Sequence, residues 1–381
     1  MGRFTNWLER RWVNPAYVGW VLLGLAVFFF AAATNTLAGW LYVMSGVLLA
    51  LLVVAAILPP KNLRGLTVQR LPSEAVSAGE PLLIELQILN PQRHSTGAMQ
   101  VMDRPAQELG PIQQHALQTI SPGQTYTWRY RLSTHRRGIY RWSTVVLRSA
   151  APLGLFWCRR ELAVPATVVV YPQVLPLQRC PILDTLANQT GQHRQSLRSR
   201  MSTTDGMTRS LRPYRWGDST RLIHWRTSAR YGDLRVRELE SLAAGQEVMI
   251  AIDTSQHWNA EHFEQAVVAA ASLFTYATQR GLVVTLWQRP DDVLHDRRSI
   301  LYALAGLAPY QSQPTYPKQN QIPTIWLGAQ QAPAKALTAS SRQVIWNHQP
   351  TLNSVEGHPG TLWIEANQSL QQQLQRPLQN S

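Results

Sequence analysis

From Val13 to Pro60 the chain is apolar, without one Asp, Glu, Lys or Arg. A helix crossing about 30 Å of hydrocarbon needs about 20 such residues, so the run predicts two membrane-spanning helices, near 15–33 and 37–58. Thr34-Asn35-Thr36 supplies the polar break between them, and Pro59-Pro60 ends the second. A secretory leader is the competing reading, but a second apolar span follows and no cleavage pattern stands out. The pattern then changes period. Residues 82–89 and 126–132 alternate apolar with polar, Ser121-Pro122-Gly123 and Arg137-Gly138 mark turns, and 144–148 and 166–171 add further strands. These strands predict a β-sandwich with immunoglobulin-like packing.

Beyond 173 the chain turns polar and loses periodicity until about 207, as in a linker with at most one short helix. An apolar run, 247–252, then leads into Asp253-Thr254-Ser255. Phe263, Ala266, Val267, Ala270, Phe274 and Ala277 follow at helical spacing between an Asn259 cap and Gly281. A strand at 282–287, a helix at 300–307 and short strands at 324–327, 344–346 and 361–364 complete an alternation that predicts an open α/β sheet. The divisions are therefore 1–62 anchor, 63–172 sandwich, 173–207 linker, 208–366 α/β domain and 367–381 a Gln-rich, loosely ordered tail.

Charge sharpens this picture. The formal net charge is +14, and of 36 basic residues only Lys61, Lys318 and Lys335 are lysine. Such a balance suits an anionic membrane, an acidic partner or nucleic acid, although a GC-rich coding bias would also favour arginine. Arg3, Arg10 and Arg11 precede the apolar hairpin, and Lys61, Arg64 and Arg70 follow it. The positive-inside rule puts both ends in the cytoplasm. Cys158 and Cys180 carry no framework spacing and are expected to stay reduced there.

The densest charge lies in LRPYRWGDSTRLIHWRTSARYGDLRVRE, residues 211–238. Gly217-Asp218 reads as a tight turn, and Asp218 or Ser219 as the cap of a helix through Arg221, His224, Trp225 and Ala229 that stops at Gly232. Leu234 and Val236 then alternate with Arg235 and Arg237 as in a strand with one buried face. The string Arg212, Tyr214, Gly217-Asp218, Arg221, Ile223-His224-Trp225, Ala229-Arg230, Leu234, Val236, Arg237-Glu238 closely resembles the signature of domain of unknown function family 58. Upstream, Arg136 to Tyr140, Pro152 to Phe156 and Val169 to Pro172 fall in that family's order, with Ala151 where an acidic residue is usual. The resemblance implies a membrane-anchored bacterial protein of the cell's inner membrane with a von Willebrand A-like domain, and a MoxR-type AAA ATPase as partner. It implies architecture more than activity.

Two groups of residues could carry chemistry. Arg212, Arg221, Arg230 and Arg237 either pair with Asp218, Asp233, Glu238 or Glu240 to pin the stretch in place, or grip a carboxylate or phosphate of a partner, with Tyr214 and Trp225 beside them. His224 could act as a general base, but no Ser or Cys nucleophile is tied to it, and a packed helical histidine is the plainer reading. Asp253 and Ser255 stand where a von Willebrand A domain carries Asp-x-Ser-x-Ser for magnesium. His257 replaces the last serine and is a poor ligand for that ion, so no metal or other cofactor is expected, and the pair is left to organise its loop. Phosphate-binding Gly-rich loops, zinc spacings and paired carboxylates do not occur. The expectation is a membrane-tethered cytoplasmic adaptor rather than an enzyme, the rivals being a metal-dependent hydrolase and, further off, a nucleic-acid-binding protein. The strands lack the aromatic–basic pattern of a nucleic-acid surface.

Overall fold

The structure, a computed structural model, describes residues 12–186, 208–214, 220, 223–239, 247–289, 292–309, 322–333, 337–338, 340–346, 360–365 and 368–377. At 208–210, 237–239, 288–289 and 292 it describes the backbone alone. The chain divides into two compact units, Met1–Tyr171 and Pro172–Ser381.

The first unit opens with β1 (Asn14–Pro15) and two helices, α1 (Tyr17–Thr36) and α2 (Gly39–Leu63), both long and apolar enough to cross a membrane. Two details differ from the pattern-based expectation. Thr34-Asn35-Thr36 does not break the hairpin, because the Thr34 and Thr36 hydroxyls donate to the helix's own Ala31 and Ala32 carbonyls at 2.7 Å. The bend falls one residue later, at Leu37, with φ 53°. Nor do the prolines end α2, which runs on through Pro59 and Pro60 to Leu63. Leu63 is buried in the β core, and that burial holds the last turn against the lost donors.

Eight more strands follow: β2 (Thr67–Arg70), β3 (Val76–Ser77), β4 (Pro81–Leu89), β5 (Met99–Arg104), β6 (Gln113–Leu117), β7 (Thr125–Ser133), β8 (Gly138–Ser149) and β9 (Phe156–Tyr171). They form a three-stranded sheet, β2-β4-β7, and a six-stranded one, β1-β9-β8-β5-β6 with β3 on β9. Alternating residues of both sheets, Leu82, Ile84, Leu86 and Ile88 facing Val101, Val145 and Leu147, share one core. Pro165, which cannot donate to a ladder, sits where the β8–β9 register shifts.

Hairpin and sheets are joined by more than chain continuity. Leu155, in the turn between β8 and β9, packs on Leu52 and Ala55 of α2, with Leu22 and Leu23 of α1 against the same cluster. Its carbonyl accepts from Ala16 N at 2.8 Å, and a Cβ on Gly19 would sit 2.5 Å from it. Asn62 adds a side-chain bond to Ser149 Oγ at 2.9 Å. The 152–156 segment, one of those that carried the family resemblance, is thus the piece that docks on the helices.

In the second unit a two-stranded ribbon, β10 (Thr208–Pro213) with β11 (Arg235–Leu239), brackets α3 (Trp225–Tyr231). Then come β12 (Glu247–Ile252), α4 (Ala260–Gln279), β13 (Val283–Arg289), β14 (Asp292–Leu294), α5 (Arg297–Gly306), β15 (Thr324–Gly328), β16 (Arg342–Ile345), β17 (Thr361–Trp363) and α6 (Leu370–Leu374). The sheet order is β14-β13-β12-β15-β16-β17, parallel except for β14. Asn259 Oδ1 caps α4 by accepting from Glu261 N at 2.9 Å, and Gly281 leaves it at φ 76°. Phe263, Ala266, Val267, Ala270, Phe274 and Ala277 are all buried, as their spacing predicts.

Two segments read as peripheral belong to this core. Cys180, Ile182, Leu183 and Leu186, in the expected linker, are fully covered, around a helical turn at 181–186. In the expected loose tail, α6 buries Leu374 and Gln373, the Gln373 amide donating to the Glu365 and Gln368 carbonyls at 2.9 and 3.0 Å. The 181–186 turn is tied to α4 by a relay: Arg280 Nη2 donates to Tyr276 Oη at 2.8 Å, which donates to Asp184 Oδ1 at 3.0 Å.

Burial pushes the Cys180 thiol from 9.0 up to about 11. Ionising it is therefore harder folded than unfolded, so its contribution is complete below pH 9 and disappears as pH rises to about 11. Melts of the full chain across that window should lose on the order of 2 kcal/mol through this group. Cys180→Ala should flatten the slope; an unchanged slope would assign it to other groups.

Candidate functional site

The 211–238 stretch is built on β11. Leu211 pairs with Arg237, Arg212 with Val236 and Pro213 with Arg235, and Tyr214 N closes the ribbon on Leu234 O at 2.8 Å. On the far side of β11, Ile223 bridges Val236, and His224 N donates to Arg235 O at 2.8 Å. Val236 and Ile223 are buried between these strands, which is why the alternation about Val236 is legible. Leu234 is the exception: it lies outside β11 and is exposed.

The helix between these strands starts later than its charge pattern suggests. His224, not Asp218 or Ser219, is its N-cap: the imidazole Nδ1 accepts from Thr227 N at 3.2 Å and lies 2.6 Å from Thr227 Oγ1. With Nδ1 occupied as an acceptor, this ring is a structural cap. Ser228, which the motif reading passed over, ties helix to strand. Its Oγ donates to His224 O at 3.1 Å and accepts from Arg235 N at 2.9 Å, and the side chain is buried. The sequence signal is a serine one turn inside a helix, where its hydroxyl can reach the i−4 carbonyl. Ser228→Ala should cost about 1–3 kcal/mol, because Arg235 N is left without that partner. Denaturant titration of the full chain measures it, and an unchanged midpoint would remove Ser228 from this role. Gly232, at φ 77°, ends the helix as expected.

Asp218 and Arg221 lie outside the described residues, as do the side chains of Arg237 and Glu238. Arg212 is half-buried and donates through Nη1 to Pro213 O at 3.3 Å. Tyr214 is half-buried as well. Arg230 is exposed in the last turn of α3 rather than pinned in a buried pair, where its charge suits the helix C-terminus. Arg235 lays its guanidinium over the Tyr231 ring at 4.5 Å. The outer face of this helix is unusual in composition: Trp225 is 65% exposed and Tyr231 60%, with Arg226 and Arg230 exposed between them.

The second candidate lies at the carboxyl ends of β12 and β15. The chain leaves β12 toward β13 on one side and returns to β15 on the other, so a crevice is expected where they part. Asp253 sits there, buried, its N donating to Leu327 O at 2.9 Å. Its Oδ1 accepts from Ser255 N at 2.9 Å and Ser255 Oγ at 2.6 Å, so the two predicted ligands bond each other. Gln256 stitches the crevice, its Oε1 accepting from Gln330 N at 2.7 Å. A Cβ on Gly328 would meet Gln330 O at 2.6 Å, so only glycine fits beside that stitch. Among the described residues no group of three or more His, Cys, Asp or Glu comes together. Asp253 Oδ1 is thus taken up by Ser255, while its Oδ2 is buried with no hydrogen-bond partner among the described residues.

Residues 210–296 match the family model described as protein of unknown function DUF58. The chain carries a DUF58 region. It covers most of the ribbon, α3, β12, α4, β13 and β14. No curated protein matches the chain. Among solved structures it is similar to the CARDB domain of a Pyrococcus furiosus protein, at 12% identity over 27% of this chain and 93% of that one, with a TM-score of 0.19. Red sea bream transglutaminase aligns at 18% identity over 28% of this chain and 15% of its own length, TM-score 0.20. A GH20 exo-β-N-acetylglucosaminidase from Vibrio harveyi aligns at 10% identity over 69% of this chain and 56% of its own, TM-score 0.18. Likeness this slight says nothing of what the DUF58 region does.

Proposed function

We propose that this protein is a membrane-tethered adaptor without catalytic activity of its own, which uses the outer face of α3 to bind a protein partner. The observation that carries the reading is the exposed set Trp225, Arg226, Arg230 and Tyr231. Tryptophan, tyrosine and arginine side chains are the residues that most often dominate binding energy at protein interfaces. They lie in the DUF58 region, whose resemblance suggested a MoxR-type AAA ATPase, and that ATPase is the partner proposed. The apolar, outward-facing residues of α1 and α2, among them Trp20, Phe28, Trp40 and Val47, support the tether, since such a surface calls for hydrocarbon around it. Basic residues at the hairpin's flanks support a cytoplasmic position for both ends, in a bacterial inner membrane. The parallel order about β12, with Asp253 at its end, supports a von Willebrand A-like relationship for the α/β sheet. The two-sheet packing of β2–β9 supports an immunoglobulin-like one for the sandwich.

The test is a crosslinked pull-down of the full chain from membranes, with captured proteins identified by mass spectrometry. The ATPase should be recovered, and Trp225→Ala with Tyr231→Ala should weaken its capture at least tenfold, or about 1.4 kcal/mol and more, while melting as the parent does. Variants that capture it undiminished would sink the interface. A purified chain that turns over a substrate would sink the adaptor.

A further inference from the structure

A cavity of about 530 Å³ opens within the first unit, between the last turns of α2, the start of β9 and Trp12–Val13. Its volume falls in the range of small-molecule pockets, about 300–1,000 Å³. One wall is a single face of α2, with Ala56, Ile57 and Pro60 and then Lys61, and Arg64 follows just past the helix end. The opposite wall brings Arg159 and Arg160 from β9. Apolar groups thus lie toward the middle of α2 and cations toward its end, and no carboxylate lines the cavity among the described residues. Arg159 is partly neutralised by Glu161 at 2.8 Å, which leaves Lys61, Arg64 and Arg160 as the cations to be matched.

That gradient, apolar then cationic along one helix face, is complementary to a molecule with hydrocarbon chains and an anionic head. We propose that the cavity binds an anionic phospholipid of the leaflet on the β-sheet side. Its phosphate is held by Lys61, Arg64 and Arg160, and its acyl chains run along Ala56 and Ile57. A phosphodiester offers acceptor oxygens to both guanidinium and ammonium donors, and basic pockets at this depth beside spanning helices suit such headgroups. A zwitterionic lipid brings its own cation into a site that already holds three. The inference rests on the membrane reading of α1 and α2, and on no other part of the proposed function.

The experiment uses the full chain purified in a neutral detergent, with thermal unfolding followed as phosphatidylglycerol, phosphatidylcholine or inorganic phosphate is added. Phosphatidylglycerol should raise Tm saturably, and the other two should not. Lys61→Gln/Arg64→Gln/Arg160→Gln should weaken the apparent affinity at least tenfold. Lys61→Gln alone, at an exposed position, should weaken it about threefold, so the outcome survives a triple variant that fails to fold. Arg131→Gln/Arg141→Gln, at exposed positions on the β strands, should bind as the parent does. An equal response to phosphatidylcholine, full mimicry by inorganic phosphate, or unchanged affinity in the charge variants overturns the lipid site. Recovery of the chain in the aqueous fraction of lysed cells without detergent would instead overturn the membrane reading beneath it.

Discussion

Replacing Asp103 with alanine is expected to destabilise the sandwich by about 3–5 kcal/mol, the range for breaking a buried ion pair from one side. Asp103 is 0% exposed, and its carboxylate takes both prongs of Arg70, at 2.5 and 3.0 Å, with the Arg70 side chain 4% exposed. Tyr130 donates its hydroxyl to the same carboxylate, and Trp142 lies 5.1 Å from the guanidinium. Arg70 and Tyr130 belong to the three-stranded sheet and Asp103 to the six-stranded one, so this knot crosses the core between them. Alanine would leave a guanidinium and a phenol buried with no anion.

Burial, and after it the Asp103 charge, push the Tyr130 phenol far above its usual value of 10.0. The phenol's contribution is thus complete below pH 10 and declines at higher pH as the unfolded chain ionises first. Tyr130→Phe should cost less than Asp103→Ala, about 1.5–3 kcal/mol for a bond to a charged group. Arg70→Met with Asp103→Leu should recover part of the loss, because an apolar pair needs no desolvated charges, although the Tyr130 hydroxyl still loses its acceptor. Denaturant titrations of the four proteins in one detergent give the comparison. If Asp103→Ala unfolded at the parent's midpoint, the knot would not be what fastens the sheets.

Gly19→Val should loosen the hairpin from the sheets, at roughly 1–3 kcal/mol for a forced overlap in a packed contact. A Cβ there stands 2.5 Å from the Leu155 carbonyl oxygen, a backbone atom that cannot rotate away. The same carbonyl accepts from Ala16 N, so moving it also strains that bond. Gly24→Val supplies the control: a Cβ at Gly24 meets nothing within 4 Å, although it sits on the same helix. Melting temperature and protease cleavage within 150–156 should both change for Gly19→Val and for neither in the control. Equal behaviour of the two variants would mean that Leu155 does not hold the helices.

The legible parts of this fold are those where a local pattern and its burial agree. The spacing from Phe263 to Ala277, with Asn259 before it and Gly281 after, could only be a covered helix, and β12 was readable as a parallel strand because it is apolar on both faces. The misread parts are those where a long-range contact overrides local chemistry. Burial of Leu63 carries α2 past two prolines, and the hydroxyls of Thr34 and Thr36 are satisfied inside the helix they were expected to interrupt. Composition hid the role of 174–186 and 370–374, since a polar average says little about which few side chains turn inward. In the arginine-rich stretch charge density drew the eye, yet its scaffold is Ser228, Ile223 and Val236, and its cap a histidine, an uncommon choice where Ser, Thr, Asp and Asn prevail.

The docking of Leu155 on α1 and α2 bears on how this molecule meets others. A folded domain hung from a flexible tether samples all headings, and its local concentration is set by tether length. Here β1 joins the sheet edge, the 152–156 turn sits against both helices, and Asn62 is bonded to Ser149. The β sheets are therefore fixed on the two apolar helices as on a bracket, rather than hung from a flexible link. In the membrane-tethered reading proposed above, a molecule of the same bilayer that touched these sheets would meet them already aligned and forfeit less rotational freedom on association.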